Sequence, residues 1–112
     1  MITAWAALSA AIAIAASAFG AHGASSPQAA EWLRTGGLYQ LIHAVALIAL
    51  VRTLTAQGPS VALLIGSAIF AFTLYAMAMG APRWLGAVTP VGGAIMIAGW
   101  LWIAWIYASG RT

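Results

Sequence analysis

The chain contains no cysteine. Disulfides, thiolate metal sites and cysteine nucleophiles are therefore excluded, and no redox compartment can be read from it. Carboxylates are almost as scarce, with Glu31 the only acidic side chain in 112 residues. Without an aspartate there is no Ser-His-Asp set, and one carboxylate cannot act as the paired acid and base of a glycosidase-like site. Charged residues make up 4% of the chain, against roughly 25% in a typical soluble domain. Five charges cannot cover a soluble surface. The basic residues Arg34, Arg52, Arg83 and Arg111 stand singly between apolar runs. The formal charge of +3 therefore lacks the clustered basic face that nucleic-acid binding needs. Neither an enzyme nor a nucleic-acid partner is expected.

What remains is hydrocarbon: 64% of the residues are hydrophobic. Four apolar runs stand out, at about 2–19, 36–54, 60–79 and 90–108. Each is near the ~20 residues that cross a ~30 Å hydrocarbon core as a helix. Apolar residues fill all sides of each run, unlike the period-two alternation of a barrel strand. The expectation is an all-α bundle of four transmembrane helices in one domain, multi-pass in the plasma (inner) membrane. The first run has no Lys or Arg before it, which a signal peptide requires, so it is expected to stay as a span.

The connections carry helix signals. Ser26 before Pro27 is a good helix start, and Ser25 with Gln28 is a competing capping-box register. A short interfacial helix through Ala29, Glu31, Trp32 and Arg34 is expected after the first span, with Trp32 at headgroup level. Gly36-Gly37 then either kinks this helix into the second span or lets it run on. Gly58-Pro59 marks a tight turn, with Ser60 expected to cap the third span. Thr89 is expected as N-cap of the fourth, with Pro90 at its first position. Gly20, Gly92, Gly93 and Gly99 are expected to admit close helix packing.

One stretch breaks the hydrocarbon pattern. Tyr39-Gln40-Leu41-Ile42-His43 puts an ionisable ring inside an apolar run, and residues three and four apart share a helix face. With four spans, His22, Tyr75 and Thr89 fall toward the same membrane side as Tyr39 and Gln40. Counted from Gly37, His43 lies about 9 Å into the helix. Counted back from Gly80, Tyr75 lies about 7 Å in. The candidate polar cluster is therefore His22, Tyr39, Gln40, His43, Tyr75 and Thr89, with Tyr75 and the bare backbone at Gly92 expected to approach His43.

The stretches AFGAHG, YQLIHAVAL, the LY of FTLY, RW, TPVGG and GW closely resemble the small bacterial inner-membrane proteins grouped as domain-of-unknown-function family 423. The resemblance runs from Phe19 to Trp100. The family's third span usually carries Ser-Gly-Ser before Leu-Tyr, where this chain has Ala71-Phe72-Thr73. The resemblance implies a small four-span membrane protein and brings no biochemical activity with it.

Among the readings of the polar stretch, interhelical hydrogen bonding that fixes packing is favoured, because no acidic partner lies within the spans. A metal site would draw on His22, His43 and Glu31, whose spacings match no compact motif. A bis-histidine haem site would join a loop residue to a span residue. An anion at the start of the fourth span is less favoured than close packing there. No cofactor is expected. The leading function is a non-enzymatic membrane component that acts as an accessory or assembly partner, self-associating or bound to other membrane proteins. The alternative is a small-molecule or proton-coupled carrier using the His43 corner.

Four spans place both termini on one side, expected to be cytoplasmic, with Glu31 and Trp84 opposite. Because the chain is cysteine-free, single Glu31→Cys, Gln57→Cys and Trp84→Cys variants test this by labelling from outside cells. Positions 31 and 84 should label together and position 57 should not; labelling of 57 with 31 rules out the four-span topology.

Overall fold

The structure is a computed structural model and describes residues 1–111. Among these residues it is entirely helical: α1 (Ile2–His22), α2 (Pro27–Leu50), α3 (Gly58–Ala78), a 3-10 stretch (Arg83–Ala87) and α4 (Thr89–Ala108). Four helical segments are long and apolar enough to cross a membrane. The least apolar is α2, the helix that carries Glu31, Arg34, Gln40 and His43.

The start of α2 follows the Ser26 register. Ser26 is extended and its hydroxyl accepts from the Ala29 N–H at 3.0 Å, with Pro27 opening the helix. That bond satisfies one of the donors left free at a helix start. The helix then runs unbroken through Gly36-Gly37, so the expected short interfacial helix is the first turns of α2 and not a separate element. There Glu31 pairs with Arg34 on the exposed surface, and the Arg83 guanidinium lies 5.7 Å from the Trp32 ring centre. The latter ties the head of α2 to the 3-10 stretch.

Gly36-Gly37 does not interrupt the helix, and neighbours press in on both sides of it. A Cβ on Gly37 would lie 3.0 Å from the Ala13 carbonyl oxygen of α1, and one on Gly36 would lie 3.4 Å from the Ala71 Cα of α3. Here glycine serves close approach, as small residues do between membrane helices. On α1, Ala6, Ser9 and Ala13 form the buried face against α2. A Cβ on Gly20 would stand 3.0 Å from Leu33 Cβ, which continues this contact. α1 runs a turn beyond its expected end and takes in His22 as its last residue.

Two expected caps are replaced. Ser60 lies inside α3, buried, and α3 starts at Gly58 without a side-chain cap. Thr89 lies inside α4, with Val88 preceding it. Its hydroxyl donates back to the Leu85 carbonyl at 3.2 Å, within the 3-10 turn that leads into the helix.

The helices pack in chain order, α1 on α2, α2 on α3 and α3 on α4. Among the described residues neither α1 and α4 nor α2 and α4 make a close backbone approach. At one end all four converge on Ala6, Leu47, Leu63, Ile103 and Ile106. At the other, Ala29, Leu33 and Ala78 gather without α4. Tyr107 donates to the Thr53 hydroxyl at 2.7 Å, which sets the end of α4 beside the α2–α3 turn.

The α3–α4 seam depends on one glycine more than its neighbour. A Cβ on Gly92 would lie 2.5 Å from the Phe70 nitrogen and 2.6 Å from the Gly66 carbonyl oxygen. At Gly99 it would meet Leu63 Cδ2 at 2.9 Å. At Gly93 it would meet only Phe70 Cδ1 at 3.9 Å, so Gly93 borders open space and the tight packing expected there is absent. Gly92→Ala should therefore destabilise by about 1–3 kcal/mol, while Gly93→Ala should be neutral or mildly stabilising. Melting of both variants in one detergent measures the difference, and equal midpoints would contradict the tight seam at Gly92.

Candidate functional site

Helical spacing sends Gln40 and His43 to different neighbours. Gln40 is 1% exposed. Its Nε2 donates to Ser9 Oγ of α1 at 2.9 Å, and its Oε1 accepts from the Tyr75 hydroxyl of α3 at 2.6 Å. One side-chain amide thus joins three helices. His43 is 5% exposed and faces α4, where Trp100 Nε1–H donates to its Nε2 at 3.0 Å.

The partners of His43 define its tautomer. Nδ1 lies 2.7 Å from the Tyr39 carbonyl oxygen, which can only accept, so Nδ1 carries the hydrogen. An indole N–H can only donate, so Nε2 is the bare nitrogen. The ring is therefore the neutral Nδ1–H form, and a second proton would break the Trp100 bond. The two rings sit 5.8 Å apart, tilted by 59°.

The six expected cluster residues fall into separate places. Tyr39 contributes its carbonyl to His43, while its ring, 43% exposed, lies against Phe70 with centres 4.8 Å apart. Tyr75 reaches Gln40 and not His43, and Trp100 takes the place expected for Tyr75 and the backbone at Gly92. Thr89 pairs with Thr73 at 2.6 Å, on the α3–α4 seam. His22 is exposed at the end of α1 and makes no side-chain hydrogen bond among the described residues.

The depth also differs from the expectation. Because α2 starts at Pro27, Gly37 is not the membrane boundary. His43 stands nine residues from Arg34 and nine from Arg52, roughly 13.5 Å from each by helical rise. It lies near mid-depth, not at one side.

Sequence reasoning passed over Ser9, Trp100 and Thr73 as partners. Ser9 had a signal, since it stands between Ala6 and Ala13 on one small-residue face. Trp100 had none, because its reach across to α2 depends on how α4 is rotated.

Two clefts flank these nodes. One of about 230 Å³ lies between α1 and α3, with Ser9 and Gln40 in its wall. The other, about 390 Å³, lies between α2 and α4 beside Tyr39, His43, Phe70 and Trp100. Among the described residues, no buried side-chain nitrogen or oxygen lacks a partner, and no three metal-ligating His or acidic residues lie together. The nodes join helices, and neither brings a carboxylate to its imidazole or amide.

Residues 16–93 match the family model described as Protein of unknown function (DUF423). The chain is 36% identical over 105 residues to the UPF0382 inner membrane protein YgdD of Escherichia coli K12, covering 86% of this chain and 80% of that protein. It is 34% identical over 107 residues to a UPF0382 membrane protein of Haemophilus influenzae, covering 88% and 86%. A UPF0382 membrane protein of Staphylococcus saprophyticus is 33% identical over 103 residues, covering 85% and 86%. No solved structure matches the chain.

The hydrogen bonds rank three substitutions. Gln40→Leu strands the Ser9 and Tyr75 hydroxyls and should cost about 1–3 kcal/mol. His43→Leu strands only the Trp100 N–H beside an open cleft and should cost less, about 1 kcal/mol. His22→Ala should be neutral. Thermal midpoints in one detergent read the order, and a His22→Ala variant melting below Gln40→Leu would contradict it.

Proposed function

The chain belongs to the DUF423 family, and from that premise we propose that it is a non-enzymatic, self-associating component of the plasma (inner) membrane, with both termini cytoplasmic. That it is a small integral membrane protein follows from its four membrane-length helices and its membrane-protein relatives. The association partner is the proposed step, and the outer face of α1 carries it.

α1 has two small-residue stripes. The inner one, with Ala6, Ser9 and Ala13, is buried on α2. The outer one, Ala4, Ala7, Ala11, Ala15 and Ala18, recurs every three or four residues and is exposed along its whole length. Small-residue stripes of this spacing let membrane helices approach closely, as the inner stripe does within the chain. α1 lies at the edge of the packing order, so a second copy meets that face without displacing another helix.

The polar nodes support a structural role over a carrier role. Gln40 spends its hydrogen bonds on other helices, and His43 divides its two between its own helix and α4. A conducting path needs polar groups through the full depth of a bundle, and the cleft beside Gln40 and Ser9 is otherwise lined by apolar side chains such as Leu8, Ile12 and Phe72.

Replacing Ala11 with leucine fills the outer stripe and touches no buried residue. The wild-type chain should migrate in mild detergent as a multiple of its 11.5 kDa mass, and Ala11→Leu should shift it to the monomer with an unchanged melting point. A wild-type monomer, or an Ala11→Leu assembly of the same size, defeats the proposal. Proton flux into liposomes that disappears in His43→Leu would favour the carrier instead.

A further inference from the structure

The two polar nodes of α2 differ in what surrounds them. Gln40 stands in the wall of the smaller cleft, with both ends of its amide bonded to α1 and α3, whereas His43 borders the cleft between α2 and α4. These helices make no close backbone approach, and the Trp100–His43 hydrogen bond spans the gap between them. The cleft holds about 390 Å³, near the lower end of small-molecule sites. Tyr39, Phe70 and Trp100 give it aromatic walls. Gly93 keeps it open, since a Cβ there would meet only Phe70 Cδ1 at 3.9 Å. Tyr39 and Trp100 are 43% and 38% exposed, so the cleft opens outward near mid-depth, toward lipid.

Its polar groups have a definite hydrogen-bond sense. With Nδ1 held as donor by the Tyr39 carbonyl, His43 offers the cleft only the acceptor Nε2. A group that replaces the Trp100 N–H there must donate. The Tyr39 hydroxyl has no partner among the described residues and can donate or accept. Aromatic walls favour a flat ring. A cation finds no carboxylate here, since Glu31 stands outside, near one end of α2. An acyl chain uses neither polar group.

We propose that the α2–α4 cleft binds a neutral, membrane-dissolved aromatic ring bearing hydroxyl groups, the phenol or quinol class. One ring hydroxyl donates to His43 Nε2 in place of the indole, the Tyr39 hydroxyl pairs with a second ring oxygen, and any apolar tail stays in lipid. The site is formed within one chain and does not depend on self-association.

The probe is a decyl-substituted benzoquinol, kept reduced, with the matching benzoquinone as comparison. Saturable binding to the purified chain in one detergent is measured by equilibrium dialysis against protein-free micelles, and melting points are taken alongside. The quinol should bind saturably. The quinone, which lacks the donor, should bind about fivefold more weakly. Gly93→Leu, which fills the cleft, should abolish binding while the chain still melts cooperatively. Trp100→Phe frees Nε2 and should tighten binding by about fivefold. Absence of saturable quinol binding to the wild-type chain overturns the proposal, as does a Gly93→Leu chain that binds as the wild type does. If Gly93→Leu does not fold, Tyr39→Phe decides: a several-fold loss upholds the site and unchanged affinity overturns it.

Discussion

Hydrocarbon offers no hydrogen-bond partner, so the backbone and the buried polar side chains inside the spans must find one within the protein. The backbone meets this by forming helices, which explains four long helices in a chain that is 64% hydrophobic. The side chains meet it by pairing across helices. Gln40 bonds to Ser9 on one side and Tyr75 on the other, and His43 closes on its own helix and on Trp100. Threonine and serine hydroxyls turn back onto carbonyls of their own helix, as Ser67 does to Leu64 and Thr73 to Ile69. The same constraint sets the His43 tautomer, because both of its partners have fixed roles.

Helix association here has little hydrophobic driving force, since lipid tails are as apolar as the helices. Close contact has to come from small residues. Gly36 and Gly37 let α1 and α3 close on α2 from two sides, and Gly66 and Gly92 bring the backbones of α3 and α4 together. Each tight seam joins helices that are neighbours in sequence. α2 and α4 are left apart, bridged by side chains alone. The cleft between them is thus a consequence of where the glycines are, and Gly93, which faces it, shows that a glycine beside a seam need not belong to it.

The runs of apolar residues determined four membrane helices, and Ser26-Pro27 determined where α2 begins. Those features are local: they follow from length, hydropathy and capping chemistry that the chain carries in order. The sequence also marked Tyr39, Gln40 and His43 as out of place in hydrocarbon, because a polar side chain in an apolar run is visible without any neighbour. What it left open were partners and depth. Gln40 and His43, three residues apart, share a helix face, yet Gln40 meets α1 and α3 while His43 meets α4. That divergence depends on the rotation of each helix about its axis. The continuity of α2 through Gly36-Gly37 was likewise not legible in the sequence, since a glycine pair permits both a broken and an unbroken helix; here α1 and α3 pack closely on the unbroken one. Mid-depth for His43 followed from that continuity. Long-range pairs such as Trp100 with His43 leave no trace in a single sequence, because their geometry arises only when independent helices take up a common register.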